Sequence, residues 1–220
     1  MYVQYYMTPN PITIKPSIPI PEAREILKRH DFRHLPVVDS QGRLVGIVTD
    51  RDIRSAYPSS VLSGPELEEE LSRLARTPVQ EIMSTYLLSL DMESTLDDAL
   101  LLLEHQKIGA LPVLDEGRVV RGILSIRDLL KAYGELFGLR EKGSVLIAFK
   151  DDGSPGILMR IVRLFENLDI PFTRLLRTKD KRGDAKGIIY VRARTYNLNQ
   201  LNGAASKAGL ELLGSSIKTT

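Results

Sequence analysis

The chain has 220 residues, of which 43% are hydrophobic and 26% charged. This composition is typical of a globular protein, and the length allows one large domain or two smaller ones. The chain has no Cys and only three His, which excludes disulfides, thiolate metal sites and a Cys nucleophile and leaves few ligands for zinc.

Charge is divided unevenly along the chain. Residues 143–220 hold 13 Lys and Arg against 7 Asp and Glu, a net charge of +6, whereas residues 1–142 hold 17 against 21, a net charge of −4. The difference predicts two parts with different surfaces. No run of about 18 apolar residues is present, and the N-terminus lacks the basic and apolar regions of a signal peptide. We therefore expect a cytoplasmic protein without a membrane span.

An internal repeat organises the first two thirds of the chain. Residues 35–52, LPVVDSQGRLVGIVTDRD, match residues 111–128, LPVLDEGRVVRGILSIRD, at a constant offset of 76. The same offset relates Met7 to Met83. An ungapped match of this length indicates a duplication.

Each repeat has the same predicted order of elements. A short extended segment, at 12–15 or 87–91, precedes a helix, two strands joined by a turn, and a closing helix. In the second repeat Thr95 and Asp98 are spaced as a capping box at the start of the first helix. In the first repeat Pro21 suits the first helical turn. The unit is therefore β-α-β-β-α.

The sequence divides into four predicted segments. They are a first unit at 1–60, a connecting loop and helix at 61–80, a second unit at 81–140, and a different domain at 143–220. In the last segment strands at SVLIAFK, IPFTRLLRTKD, AKGIIYVRART and LELLGSS surround two helices, with charged residues 180–184 as a turn. The order β-α-β-β-α-β predicts a ferredoxin-like sandwich, so we expect an α+β protein.

Two repeated motifs contain the candidate ligand-binding residues. In each repeat a strand ends and a helix begins at a hydroxyl residue, Thr49 or Ser125, with Asp52 or Asp128 three positions later. A helix N-terminus favours a phosphate, and a carboxylate can accept hydrogen bonds from paired ribose hydroxyls. The alternative is a capping box in both places. Because both copies also share a Gly and an Arg that a cap does not need, we favour a ligand cleft.

The repeats resemble a tandem CBS-domain pair, or Bateman module, over roughly residues 1–138. The resemblance rests on the repeated LPV(V/L)D and on the Gly–apolar–apolar–Thr/Ser–x–x–Asp signature. It implies two units about a pseudo-twofold axis and a cleft for AMP, ADP or ATP, with S-adenosylmethionine as a further ligand. It also implies that Thr49 and Ser125 hold phosphates and that Asp52 and Asp128 hold ribose hydroxyls. No other cofactor is expected.

The two repeats differ just before the LPV motif. The first has Arg33 and His34 where the second has Gly109 and Ala110. In nucleotide-binding relatives basic residues at this place reach phosphates, so the resemblance implies charge-assisted bonds from Arg33, His34 and Arg51. The alternative is a solvated basic edge. The asymmetry predicts that the two sites are not equivalent.

The histidines are not predicted to bind metal. His30 and His34 are four residues apart, which is the spacing of a metal pair on one helix face. Pro36 and the strand that it begins argue that His34 already lies outside the helix.

The last segment resembles an ACT domain in its first strand, its DDGSPG loop and the following amphipathic helix. The resemblance implies side-by-side pairing, hence a homodimer, and an amino acid bound near Asp152, Ser154, Pro155 and Gly156. The alternative is a helix N-terminal turn. Nucleic acid is not expected, because the strands hold few aromatic residues. The whole layout resembles the acetoin-utilisation CBS-ACT proteins.

We therefore expect a non-enzymatic regulatory sensor. An adenine nucleotide in the CBS cleft would act through the ACT-like domain on an unknown protein partner. The alternative is a structural module that only mediates dimerisation. We expect no enzyme, because no phosphate loop, nucleophile elbow or zinc-protease motif is found.

Overall fold

Helices and strands follow the order that the repeat predicts. The computed structural model describes residues 1–59, 61, 63–179, 187–195 and 197–217. The first repeat contains β1 (Thr8–Pro9), α1 (Ile20–His30), β2 (His34–Val38), β3 (Leu44–Thr49) and α2 (Asp50–Ala56). After α3 (Pro65–Leu74), the second contains β4 (Leu90–Asp91), α4 (Leu96–Gln106), β5 (Ala110–Leu114), β6 (Val120–Ser125) and α5 (Ile126–Leu136).

The helix starts agree with the local sequence. The predicted capping box of Thr95 and Asp98 is present at the start of α4. Helix α1 begins after Pro19 without a side-chain cap and has a proline in its first turn. The short extended segment of the first repeat is reduced to one bridge, between Ile14 and Val37, whereas in the second repeat β4 pairs in parallel with β5.

The two repeats exchange their N-terminal segments. Strand β1 leaves its own repeat and pairs with β6, where Thr8 lies opposite Ile123. The equivalent contact in the other direction is a bridge between Ser84 and Ile47. Ser84 is the repeat equivalent of Thr8, and Ile47 is the repeat equivalent of Ile123, because the two repeats are offset by 76 residues. A swap of this kind is what a twofold axis produces.

Other backbone contacts obey the same rule. Arg43 bridges to Val119, a residue 76 positions away, so this pair lies on the axis itself. The N–H of Val3 donates to the carbonyl of Ser94 at 2.8 Å, and the equivalent N–H of Val79 donates to Ile18 at 2.8 Å. The predicted pseudo-twofold module of two β-α-β-β-α units is therefore confirmed.

The glycine of the repeated signature has a packing role. A Cβ atom on Gly46 would collide with the sulfur of Met83, and one on Gly122 would collide with the sulfur of Met7. Each methionine comes from the opposite repeat. These glycines therefore let the exchanged segments approach the central strands, which explains why both copies carry one without reference to a ligand.

The last part of the chain forms a four-stranded antiparallel sheet. Its elements are β7 (Val145–Lys150), α6 (Ile157–Asn167), β8 (Phe172–Thr178), β9 (Ile188–Ala193), α7 (Leu198–Lys207) and β10 (Leu212–Ile217). The strand order is β10-β7-β9-β8. The predicted ferredoxin-like β-α-β-β-α-β order is confirmed, and the turn predicted at 180–184 lies outside the described residues.

One face of this sheet forms a core with the two helices. Alternate residues of β7 and β9 are fully buried, and Phe149 meets Phe165 edge to face with centroids 6.2 Å apart. Such pairs contribute about 0.5–1.5 kcal/mol beyond their buried area.

The chain separates into two compact units, Met1–Ala132 and Tyr133–Thr220, and the division falls within α5. The predicted domain boundary at 140–143 stays a prediction. Arg174 of β8 donates to the carbonyls of Glu135 and Leu136, the end of α5, and forms an ion pair with Glu141. These bonds attach the last helical turn to the second unit. Among the described residues, no helix is long and apolar enough to span a membrane.

We predict that Gly46→Ala lowers the free energy of unfolding by about 1–3 kcal/mol, because Met83 must shift in a packed core. Urea unfolding followed by circular dichroism measures the effect. The control is Gly203→Ala, in α7, where an added Cβ meets nothing within 4 Å. That variant should gain about 0.5–1 kcal/mol. Equal midpoints for Gly46→Ala and wild type would contradict the packing role.

Candidate ligand-binding site

A cavity of about 570 Å³ lies within the first unit and takes its walls from both repeats. This is within the usual range for small-molecule sites. Its apolar wall is formed by Pro11, Ile12, Phe32, Ile123, Ile126 and Leu130. Its polar and charged wall is formed by Thr8, His30, Asp31, Arg33, His34, Ser125, Arg127 and Asp128.

The exchange of N-terminal segments builds this cavity. Because β1 pairs with β6, Thr8 and the residues that follow it lie beside Ile123 and the start of α5. The loop after α1 then brings the charged residues of the first repeat to the same place. Asp31, at the C-terminal cap of α1, has the left-handed φ of 53° that turns the chain toward β2.

Ser125 and Asp128 form a complete capping box on α5. The N–H and the hydroxyl of Ser125 both donate to Oδ2 of Asp128, at 2.8 and 2.7 Å, and the N–H of Asp128 donates back to the Ser125 hydroxyl at 3.3 Å. Among the described residues, every hydrogen bond of this carboxylate is made through Oδ2. The other oxygen, Oδ1, can therefore accept from a ligand.

The same box recurs at Thr49 and Asp52, where the corresponding bonds are 2.8, 2.7 and 3.2 Å. It also recurs at Thr95 and Asp98, which are not among the cavity residues. The capping interpretation is therefore correct at all three places. A ligand role for Asp128 depends on the cavity around it and not on the box.

The two arginines of the cavity wall, Arg33 and Arg127, have no ionic partner in the part of the chain that the structure describes. Neither Arg33 nor Arg127 forms an ion pair or a side-chain hydrogen bond with any described residue, whereas Arg54 pairs with Asp50 at 2.8 Å and Arg73 with Glu70 at 2.6 Å. Unpaired guanidinium groups at a cavity favour an anionic ligand.

The structure divides the sequence-predicted site residues into two groups. Arg33 and His34 join Ser125 and Asp128 in the cavity wall, although His34 also starts the strand that pairs with Thr49. Thr49, Arg51 and Asp52 are not among its lining residues and lie at the equivalent corner of the first repeat.

That corner has a different chemistry. The position of Ile126 is taken by Asp50, and that of Leu130 by Arg54, which pairs with it. An acidic residue at the first helical position disfavours a phosphate. The predicted inequivalence of the repeats thus has a residue-level basis at 50 and 126.

Burial lowers the pKa of His34 below its ordinary value of 6.5, with a contribution from the nearby Arg33, while Asp50 and Asp52 oppose the shift. The imidazole is therefore neutral near pH 7.5. A Cβ on Gly109 would lie 2.8 Å from Cε1 of His34, so the absence of a side chain at Gly109 makes room for the ring.

Several cavity residues were missed by the sequence prediction. Phe32, whose ring stacks on His30 at 5.3 Å, and the apolar Ile12 and Leu130 belong to no repeated motif. The only available signal was their position next to motif residues, and the cross-repeat pairing decides which motif they join.

The polar side chains of the predicted ligand loop in the second unit form hydrogen bonds with one another and with Arg160. Ser154 donates its N–H and hydroxyl to Oδ1 of Asp152, and Arg160 donates to Asp152 at 3.1 Å and to Ser154 at 2.6 Å. Pro155 and Gly156 precede α6, and Gly156 is its N-cap with a φ of 76°. An amino acid at this loop stays a prediction. Among the described residues, no group of three or more candidate ligands could hold a metal ion.

The CBS domain model matches residues 3–59 and 79–135, slightly more than half of the chain, and the chain therefore belongs to the CBS-domain family. The Bacillus subtilis CBS domain-containing protein YhcV is 36% identical over 123 residues, which are 56% of this chain and 79% of that protein. An inosine-5'-monophosphate dehydrogenase of Aquifex aeolicus is 33% identical over 123 residues, 56% of this chain, but the chain spans only 22% of that enzyme. Two further curated relatives are spanned to 21% and 46% of their length.

Solved structures agree with this assignment. The CBS pair of protein MJ0100, in complex with 5'-methylthioadenosine and S-adenosyl-L-methionine, is 29% identical with a TM-score of 0.52, over 62% of this chain and 98% of that chain. CBSX2 in complex with AMP is 30% identical with the same TM-score and the same coverage. A Vibrio cholerae protein assigned to acetoin utilization (AcuB) is 29% identical with a TM-score of 0.54, over 64% of this chain and 96% of that chain. The resemblance to a CBS pair and to the acetoin-utilisation proteins is confirmed, and the ACT resemblance stays a prediction.

The hydrogen bonds from Ser154 and the contact with Arg160 lower the pKa of Asp152 to about 2 from 3.8. This lowered value stabilises the fold above pH 3.8, and the contribution is lost as the pH falls toward 2. We predict that Ser154→Ala moves the pKa of Asp152 back toward 3.8. Titration of the carboxyl carbon by NMR measures it. A value that stays near 2 in the variant would show that Ser154 is not the cause.

Proposed function

We propose that this protein is a non-enzymatic sensor that binds an adenosine-containing ligand, with AMP, ADP or ATP preferred, in the cavity at Ser125 and Asp128. The observation that carries the proposal is one cavity holding an acceptor for ribose hydroxyls, unpaired cations and an apolar wall. AMP in CBSX2 and the adenosyl ligands of MJ0100 support the ligand class, since they are bound by related CBS pairs.

The roles follow from donors and acceptors. Oδ1 of Asp128 accepts from the ribose hydroxyls, and the apolar residues Ile12, Ile123 and Leu130 provide a surface for the base. The hydroxyl of Ser125 already donates to Asp128 and must rotate to donate to a phosphate. Arg33 and Arg127 have donors available without such a change, so we assign them the main phosphate contacts.

Phosphate-bearing ligands are preferred for an electrostatic reason. Arg33 and Arg127 line the cavity and form no ion pair with any described residue, so both can pair with a phosphate. A cationic sulfonium would face those guanidinium groups. S-Adenosylmethionine is therefore the weaker candidate. We expect Thr49, Arg51 and Asp52 to form a second site that binds more weakly, because an acidic residue, Asp50, occupies the first helical position there.

We predict that Asp128→Asn weakens AMP binding at least tenfold, because charge-assisted bonds to the ribose contribute about 1.5–3 kcal/mol each. Isothermal calorimetry measures the affinity. Asp98→Asn is the matched control, since Asp98 makes the same capping box without lining the cavity. Its affinity should equal that of wild type, while both variants lose similar stability.

Asp52→Asn reports separately on the weaker site. Equal losses of affinity in the Asp98 and Asp128 variants would show that the Ser125–Asp128 motif acts only as a helix cap. An absence of binding by AMP, ADP, ATP and S-adenosylmethionine in wild type would contradict the proposed function as a whole.

We further propose that binding is relayed to the last part of the chain through α5. This helix begins at Ile126, directly after Ser125, and extends about 16 Å at 1.5 Å per residue. Its final carbonyls accept hydrogen bonds from Arg174, a residue of the sheet of the second unit. A shift of the helix at its ligand end would therefore act on the bonds of Arg174.

We predict that AMP slows amide hydrogen exchange in α5 and in β8, which carries Arg174. Exchange is followed by mass spectrometry, with the Asp128→Asn variant at the same AMP concentration as the control. Protection that ends at residue 132 would contradict the relay while leaving the ligand site intact.

A further inference from the structure

His34 occupies a special place in the cavity wall. Its ring lies directly over the backbone of Gly109, with Nε2 2.9 Å from the position that a Cβ would take. The ring is thus held by packing. Among the described residues, no hydrogen bond to either imidazole nitrogen is found. A half-buried imidazole with two unused nitrogens is available to a ligand.

Charged groups surround His34 on two sides. On the side of the first repeat lie Asp50 and Asp52, with Arg33 adjacent in the chain. On the cavity side the charged and titratable groups are His30, Asp31, Arg127 and Asp128. His34 therefore lies between the carboxylates of the weaker site and the ligand of the stronger one.

We propose that His34 takes up one proton when a phosphate-bearing adenosine ligand occupies this cavity, so that binding is linked to pH and discriminates phosphorylated from unphosphorylated ligands. The proposal rests on the proposed ligand site. The proton comes from solvent, and the imidazolium donates a charge-assisted hydrogen bond toward the phosphate.

Proton uptake by His34 is favoured because a bound phosphate changes the balance of charges around the imidazole ring. Without a ligand, burial and Arg33 favour the neutral ring against Asp50 and Asp52. A phosphate dianion in the cavity adds negative charge on the open side and favours the imidazolium. By linkage, a ligand that raises the pKa of His34 must itself bind more tightly as the pH falls through that range.

Calorimetry with AMP and adenosine at pH 6.5 and 8.0, in two buffers of different ionisation enthalpy, tests the proposal. We expect AMP to bind about threefold or more tightly at pH 6.5 than at 8.0, with uptake of up to one proton. Adenosine should show neither effect. His34→Gln should lose the proton uptake and the pH dependence of AMP binding, whereas His105→Gln, changed at an exposed residue of α4, should behave as wild type.

A second measurement does not depend on a His34 variant. With only three histidines, the imidazole carbon signals can be assigned by NMR and titrated in the wild-type chain. The His34 signal should titrate below pH 6.5 alone and should move to higher pH when AMP is bound. Binding of AMP and adenosine without proton uptake, or an unchanged His34 titration, would overturn the proposal but not the ligand site. A lack of binding by both would overturn both.

Discussion

The structure of the first unit depends on the exchange of N-terminal segments between the repeats. Strand β1 pairs with β6, and Ser84 bridges to Ile47 in return. Neither repeat could bury its central strands in the same way alone, since the methionines that cover Gly46 and Gly122 come from the opposite repeat. The cavity is a consequence of the same exchange, because Thr8 and the residues after it reach α5 only through this pairing.

A symmetric backbone here carries an asymmetric chemistry. The capping boxes at Thr49 and Ser125 have nearly equal hydrogen-bond lengths. However, the acidic Asp50 follows Thr49, whereas the apolar Ile126 follows Ser125. Before the LPV motif, the first repeat has Arg33 and His34, whereas the second repeat has the small residues Gly109 and Ala110. The two corners thus share a backbone and differ in charge at a few positions, and the proposed preference for one of them rests on that difference.

The sequence predicts the order of elements and the caps well, because these depend on neighbouring residues. It offers Arg33 and His34 as phosphate-binding residues without assigning them to either corner. The structure places them in one cavity wall with Ser125, a contact that depends on long-range pairing. It also offers Gly46 as a sign of ligand binding, although its neighbour is Met83. Phe32 and Leu130 carry no local signal. The last turn of α5 accepts hydrogen bonds from Arg174, a residue far along the chain, and no local signal predicts that contact.

We propose one duplicated corner, the one at Ser125, as the principal ligand site. A crystal structure of the chain with AMP at a concentration near its dissociation constant distinguishes the two corners. We expect ribose hydroxyls on Asp128, phosphate beside Arg33 and Arg127, and lower occupancy at Thr49. Nucleotide bound mainly at Thr49 and Asp52, or none in the first unit, would contradict it.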